Sequence, residues 1–324
     1  MSAAPSLATV DGRLSFADAG RVLAVDPDPA LLDSLLDTWA AAVPGALERG
    51  ERPPEAADAP DAPEAASAGA GGERDRATDV NCPDEDSTGD DVPQLAVLAR
   101  KRVLDAVFDD FHARCRGSGL QEADRLSLSV LEAPQPNALV VVDDQPVAVV
   151  DAGRGWIPVG NVSGSERSTT RDDREGGELY RDHVAGAEAY RLRTPSRGAL
   201  YRAFAERCSP AVARDLLALL DASATVRRHD PCDQLVRAYL VGARHGVVNY
   251  DLRRASEDCG LASPSTLSTV KAELEADGLL ETASVPQPRG RPRQRLEVGV
   301  DELDTAPLAT IPELVRELRT ESDE

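Results

Sequence analysis

Arg289, Arg291, Arg293 and Arg295 fall within seven residues, with Gly290 and Pro292 among them and Pro288 just before. Guanidinium groups on an extended, proline-stiffened backbone suit a narrow, electronegative DNA minor groove and the phosphates beside it. Just upstream, Ser265, Thr266, Ser268 and Thr269 place four hydroxyls within five residues. Small hydroxyl side chains let a helix sink into the major groove, where they meet phosphates or base edges. The chemistry these two groups can do is non-covalent: docking and reading of double-stranded DNA.

The elements that must carry them are legible around them. Ser263-Pro264 is an N-cap followed by a proline at the first helical position, and Gly278 is a natural stop, so the spacing predicts a helix from Pro264 to Asp277. Leu267, Val270 and Leu274 recur at i, i+3 and i+7, which puts them on its inward face, opposite the hydroxyls. Before it, Leu252–Cys259 reads as a short helix ending at Gly260, preceded by a strand over 247–250. After it, Leu279–Val285 and Gln294–Val298 read as strands joined by the proline- and arginine-rich loop 286–293. Helix, turn, helix and basic hairpin in that order have the form of a winged helix-turn-helix. Pro288 to Pro292 also has the form of an AT-hook core. The candidate contact set comprises Ser265, Thr266, Ser268 and Thr269 on the helix, with Lys271 further along it. Arg253 and Arg254 lie in the helix before. Arg289, Gly290, Arg291, Arg293 and Arg295 form the wing.

Other chemistries find less support. There is no GxxxxGK[ST] loop and no HExxH. His229, Cys232, His245 and Cys259 have the residue types for zinc but not the spacing. Cys115 lies between Arg114 and Arg116, cations that can lower a thiol pKa and make it redox-active; a buried, inert cysteine is the alternative. Asp109-Asp110 carries little information in so acidic a chain. No catalytic, metal or cofactor set is expected, and the chain reads as a non-enzyme. An adaptor of the transcription machinery, or an α/β enzyme with an accessory winged helix, are the competing readings.

The 324 residues carry 57 Asp and Glu against 36 Lys and Arg, a net charge of -21, with lysine only at 101 and 271. Codon bias in a GC-rich genome exchanges lysine for arginine but does not produce that charge. Carboxylates hold water where lysine stems would expose apolar surface to concentrated salt, so the composition reads as that of a cytoplasmic protein of an extreme halophile. No apolar run is long enough to span a membrane and no signal peptide is evident. Five scattered cysteines suit a reducing compartment. The charge is uneven. Residues 190–299 carry 17 basic and 13 acidic residues, net +4, whereas 51–92 carry 13 acidic and 3 basic residues, net -10.

The fold class expected is an α/β N-terminal domain, a small mixed sheet with helices, followed by a mainly helical C-terminal domain ending in the winged helix. Residues 1–155 form the first, a sensor or dimerisation domain, split by a disordered acidic insertion over 51–92. Its elements are a strand at Arg21–Val25, a helix from about 30 to 40, a strand at Leu95–Leu98, a helix from Arg100 to Cys115 and strands at Leu126–Leu131, Ala138–Val142 and Val147–Asp151. Residues 156–176 are a linker. Residues 177–300 contain helices at Glu178–Tyr190, Arg197–Cys208, Pro210–Leu220 and from Asp230-Pro231 onward. Residues 301–324 are an acidic tail with one short helix around Leu314.

These residues resemble the haloarchaeal TbsP-type transcriptional regulators. The likeness rests on Leu192-Arg193-Thr194-Pro195, Tyr250-Asp251-Leu252, Gly260-Leu261-Ala262-Ser263, Lys271-Ala272-Glu273-Leu274-Glu275, Gly278-Leu279-Leu280 and Gly290-Arg291-Pro292-Arg293. The N-terminal layout is similar too, with a Val-Asp-Pro turn after the first strand. The insertion at 51–92 is longer than the family pattern. The resemblance implies a homodimeric, sequence-specific regulator of sugar and central carbon metabolism genes, with promoter DNA as partner and a small metabolite as possible effector.

Overall fold

The computed structural model describes residues 5–10, 12–16, 19–43, 92–143, 145–153, 156–159, 184, 186–227, 230–286 and 292–322. The expected acidic insertion therefore lies outside the described residues except for Val92, as do Arg289, Gly290 and Arg291.

The N-terminal half is a single mixed sheet with helices, as expected. Its strands are β1 (Ser6–Thr9), β2 (Gly12–Ser15), β3 (Arg21–Val25), β4 (Gln94–Ala99), β5 (Leu126–Val130), β6 (Ala138–Val142), β7 (Gln145–Asp151) and β8 (Trp156–Val159), in the order β2-β1-β8-β7-β6-β3-β4-β5. β3, β4 and β5 are parallel, and β6–β7–β8 form an antiparallel meander beside them. β3 and β4 are continuous apolar runs because both of their faces are covered. Val22, Ala24, Leu95 and Val97 point into the main core, and Leu23, Val25, Ala96 and Leu98 into a smaller one on the other face. Helix α1 (Pro29–Ala42), capped by Asp28, lays Leu31, Leu32, Leu35, Leu36 and Trp39 on the main core. Asp26 links the ends of the parallel strands, accepting from Arg100 Nε at 2.6 Å and from the Gln135 amide at 2.9 Å.

Several expectations are corrected. The helix expected over 100–115 is two helices, α2 (Lys101–Val107) and α3 (Phe111–Glu122). Asp110 restarts the chain, its carboxylate capping Ala113 N at 3.0 Å and accepting from Val226 N at 2.7 Å. The linker cannot begin at 156, because Trp156–Val159 completes the sheet and Trp156 is buried. The β1–β2 hairpin was not expected from its short, weakly alternating strands. The helix expected to run to Tyr190 has ended by Ala187. Ala189 bridges Ser129 and Tyr190 N donates to Leu128 O at 2.9 Å, so the β5 edge takes these residues as an extended partner.

The C-terminal half is helical. It comprises α4 (Arg197–Arg207), α5 (Pro210–Asp221), α6 (Gln234–Arg244), α7 (Asn249–Asp258), α8 (Pro264–Ala276), the hairpin β9 (Leu280–Val285) and β10 (Arg293–Val298), α9 (Asp301–Thr305), a 3₁₀ turn at Leu308–Thr310 and α10 (Ile311–Ser322). Ser209 caps α5 as expected, accepting from Val212 N. The start of α6 is corrected from Asp230-Pro231 to Asp233, whose carboxylate accepts from Leu235 N and Val236 N; Asp230 instead makes a turn with Cys232 N. Arg237, fully buried in α6, donates to the Cys232 and Leu219 carbonyls and to Ser223 Oγ, so a cation closes the C-terminal end of α5. The helix expected around Leu314 is present as α10, but the acidic tail is not a solvated appendage. Leu303, Ile311 and Val315 are buried in the helical core, because apolar residues recur at helical spacing beneath the charge.

α3 belongs to both cores. Ala113 and Leu120 pack with the sheet, and Phe111 and Cys115 with the helices. Burial pushes the Cys115 thiol up to about 12, although Arg197 and Arg114 pull it down, so it stays a neutral thiol at neutral pH. Two outcomes follow at this joint. In the native protein at pH 8, Cys115 should resist iodoacetamide and become labelled only on unfolding, as read by peptide mass spectrometry. Asp110→Ala removes a cap and strands the Val226 amide, and should lower the unfolding free energy by about 2–3 kcal/mol in urea titration.

Candidate nucleic-acid interface

The winged unit is built on α6. Gly242 lets α7 approach closely: a Cβ there would lie 2.3 Å from Leu252 Cδ1. Val248 starts α7, and Asn249 and Tyr250 lie in its first turn, so the strand expected over 247–250 is reduced to a bridge. That bridge is Val248 to Arg295, with Leu296 N donating to Val247 O at 2.9 Å, and it ties the start of α7 to β10. Gly260 and Gly278 take left-handed backbone at φ +75° and +69°, closing α7 and α8 as their sequence positions suggest.

In α8 only Leu267 and Leu274 are buried. They join Leu252, Leu296 and Tyr239 in the core, and the Tyr239 hydroxyl donates to the Leu267 carbonyl at 2.9 Å. This pins the helix about its long axis. Ser265, Thr266, Ser268 and Thr269 are consequently all exposed. Their hydroxyls are ordered by the helix itself. Ser263 Oγ caps Thr266 N at 3.2 Å and lies 2.9 Å from Ser265 Oγ and 2.8 Å from Thr266 Oγ1. Ser268 and Thr269 donate back to the carbonyls of Pro264 and Ser265. A hydroxyl that donates inward presents its oxygen outward as an acceptor.

The basic residues divide. Arg253 reaches toward the start of α8, its Nη2 3.4 Å from Pro264 O. Arg254 is matched by Glu257 at 3.1 Å and Asp258 at 3.6 Å. Lys271 is largely covered and paired with Glu275 at 2.6 Å, an oxygen that also accepts from Thr282 Oγ1. Arg254 and Lys271 therefore carry compensated charge. Glu273 and Glu275 make the C-terminal half of α8 acidic, whereas its N-terminal half bears no charged side chain and exposes hydroxyls at the positive end of the helix dipole. Arg293 and Arg295 open β10 and are exposed. Arg295 lies 3.8 Å from Glu297. Arg293 lies over the Tyr250 ring, 4.7 Å from its centroid, with Nη1 3.8 Å from Asp251. The structure thus brings together Arg253, the four hydroxyls and the base of the wing.

Sequence reasoning did not single out Tyr250 as a site residue. Among the described residues it is the one exposed Tyr, Phe or Trp, 53% accessible. The available signal was an aromatic beside an acid, three residues before the arginine pair. Among the described residues no three His, Cys, Asp or Glu side chains are grouped to hold a metal, and no helix is long and apolar enough to cross a membrane.

Residues 81–195 match the family model of the N-terminal domain of TbsP-like transcriptional regulators, and residues 196–316 match that of their C-terminal helix-turn-helix domain. No match was found among curated proteins or among solved structures.

Two substitutions test how α8 is held. Leu267→Ala should cost about 3 kcal/mol of stability by opening a cavity, and Ser263→Ala about 1 kcal/mol by removing the cap, both read by urea unfolding.

Proposed function

Because the chain belongs to the TbsP-like transcriptional regulators, we propose that it reads promoter DNA with the N-terminal half of α8 in the major groove and the wing against the neighbouring minor groove or phosphates. The family makes it a DNA-binding transcriptional regulator. The finer assignment rests on one observation: burial of Leu267 and Leu274 turns an uninterrupted hydroxyl face outward beside the basic hairpin. Ser265, Thr266, Ser268 and Thr269 meet base edges or phosphates, and the acidic C-terminal half stays out of the groove. Arg253 contacts backbone beside the helix start. Arg289, Gly290, Arg291, Arg293 and Arg295 form the wing contact. Arg254 and Lys271 contribute little, since their charges are already matched.

The charge of the whole chain shapes the rest of the proposal. A cytoplasmic protein of a halophile works where the Debye length is about 3 Å, so long-range steering is nearly absent. Four phosphate contacts give a log–log salt slope near -3.6, and moving from about 0.1 M to about 2 M salt costs roughly four to five decades of affinity. Shape fit, base contacts and two-fold repetition of the site in a homodimer carry the specific affinity instead. The regulated genes are those of sugar and central carbon metabolism, and the sheet half responds to a small metabolite or holds the dimer together.

The test is selection of genomic fragments by the full chain, followed by fluorescence anisotropy on the recovered duplex. Thr266→Val and Thr269→Val should each lose about 10-fold in specific affinity, with the salt slope unchanged, as expected of base contacts worth about 1–3 kcal/mol. Arg254→Ala should bind within about 2-fold of the parent. Equal binding of selected and scrambled duplexes would overturn the proposal.

A further inference from the structure

Arg293 is the first described wing arginine to meet another element, and that element is the start of α7 rather than the recognition helix. Its guanidinium sits over the Tyr250 ring with the centroid 4.7 Å away, and its Nη1 is 3.8 Å from Asp251 Oδ1. Arg293 stands opposite Val285 in the β9–β10 register, the last pair of the hairpin before the connecting loop.

We propose that Tyr250 is a positioning residue for DNA binding. Its ring holds Arg293 in one orientation before DNA arrives, and Asp251 occupies the place that a phosphate oxygen takes in the complex. The inference rests on the DNA-binding role of the wing proposed above and adds a residue to it.

Three considerations support it. A free arginine has many rotamers, and fixing one on binding costs entropy; a side chain already stacked has met that cost in the free protein. The Asp251 contact is long, and both partners are partly exposed, with side-chain accessibilities of 44% and 34%, so salt weakens it. Stacking on a ring is a short-range contact with an apolar component, and it survives at salt concentrations that screen the ion pair. The ring contact thus keeps Arg293 in place while leaving its charge available. When a phosphate displaces Asp251, the ring contact need not break. Tyr250 is also half-exposed, so its substitution leaves the buried leucines of the winged unit untouched.

The experiment is a double-mutant cycle on the full chain, using the duplex recovered by the wild-type protein and reading anisotropy from about 0.2 M to about 2 M KCl. Thermal unfolding checks that each variant is folded. Arg293→Ala should lose affinity and reduce the salt slope by about 1, as for a phosphate contact. Tyr250→Leu should lose about 3- to 10-fold with its slope unchanged, because order is lost and charge is not. Tyr250→Phe, which keeps the ring, should bind within about 2-fold of wild type, and Tyr250→Leu with Arg293→Ala should bind no worse than Arg293→Ala alone. A Tyr250→Leu loss that simply adds to that of Arg293→Ala would show that the ring acts independently of the arginine. Wild-type affinity in Tyr250→Leu, or a loss as large in Tyr250→Phe, would overturn the positioning role while the wing reading stands. Full binding by Arg293→Ala would overturn both the inference and the part Arg293 plays in the wing. Failure of the wild type to bind any recovered duplex would overturn the wing reading itself.

Discussion

Two leucines one heptad apart decide which way the recognition helix faces. Leu267 and Leu274 are the buried residues of α8, and the Tyr239 hydroxyl fixes the same face through the Leu267 carbonyl. A helix has only so many faces, so burying these two leaves Ser265, Thr266, Ser268 and Thr269 with solvent. The rest of the winged unit follows. Gly242 admits α7 at close range, β10 adds Leu296 to the same core, and the Val248–Arg295 bridge ties β10 to the start of α7. Burial of apolar side chains, not charge, is what presents the polar surface.

The two halves of the chain share a helix rather than a flexible connection. α3 places Ala113 and Leu120 in the sheet core and Phe111 and Cys115 in the helical core. Asp110 binds the α5–α6 connection through Val226 N, and Arg197 pairs with Asp221 through two hydrogen bonds of 2.8 Å beside it. These contacts join the start of α3 to the segment that leads from α5 into α6, and α4 to α5. The chain keeps a cysteine at this joint as a small apolar filler, its thiol held neutral by burial.

Much of the winged unit was legible because its signals are local. Ser263-Pro264, Gly260, Gly278 and the i, i+3, i+7 apolar residues Leu267, Val270 and Leu274 each act within one or two turns, and the structure buries the two leucines with Val270 packed beside them. What the sequence hid depends on contacts distant along the chain. Asp110 breaks one expected helix into two because Val226, more than a hundred residues on, shares its carboxylate. Trp156–Val159 reads as linker until β7 is there to pair with it. Ala189 and Tyr190 leave a helical pattern for the exposed edge of β5. The helix expected around Leu314 is there, but its acids masked that Ile311 and Val315 bury on one side of it. Within the candidate site, spacing identified the hydroxyl face but could not tell free from matched cations. Lys271 and Arg254 look available in sequence and are paired in space. Tyr250 lies in a segment that carries the family likeness, but its part in the site became visible only through Arg293.

The net charge of -21 and the basic segment 190–299 describe different constraints, one on the solvent the chain tolerates and one on the surface it presents. The account stands on the N-terminal half of α8 being the part that enters the groove. Photo-cross-linking tests this most directly, with a photoreactive residue placed at position 265 or at position 276 of the full chain bound to its selected duplex. The account predicts a cross-link to bases from position 265 and none from position 276. Equal cross-linking from both positions, or cross-linking from 276 alone, would contradict it.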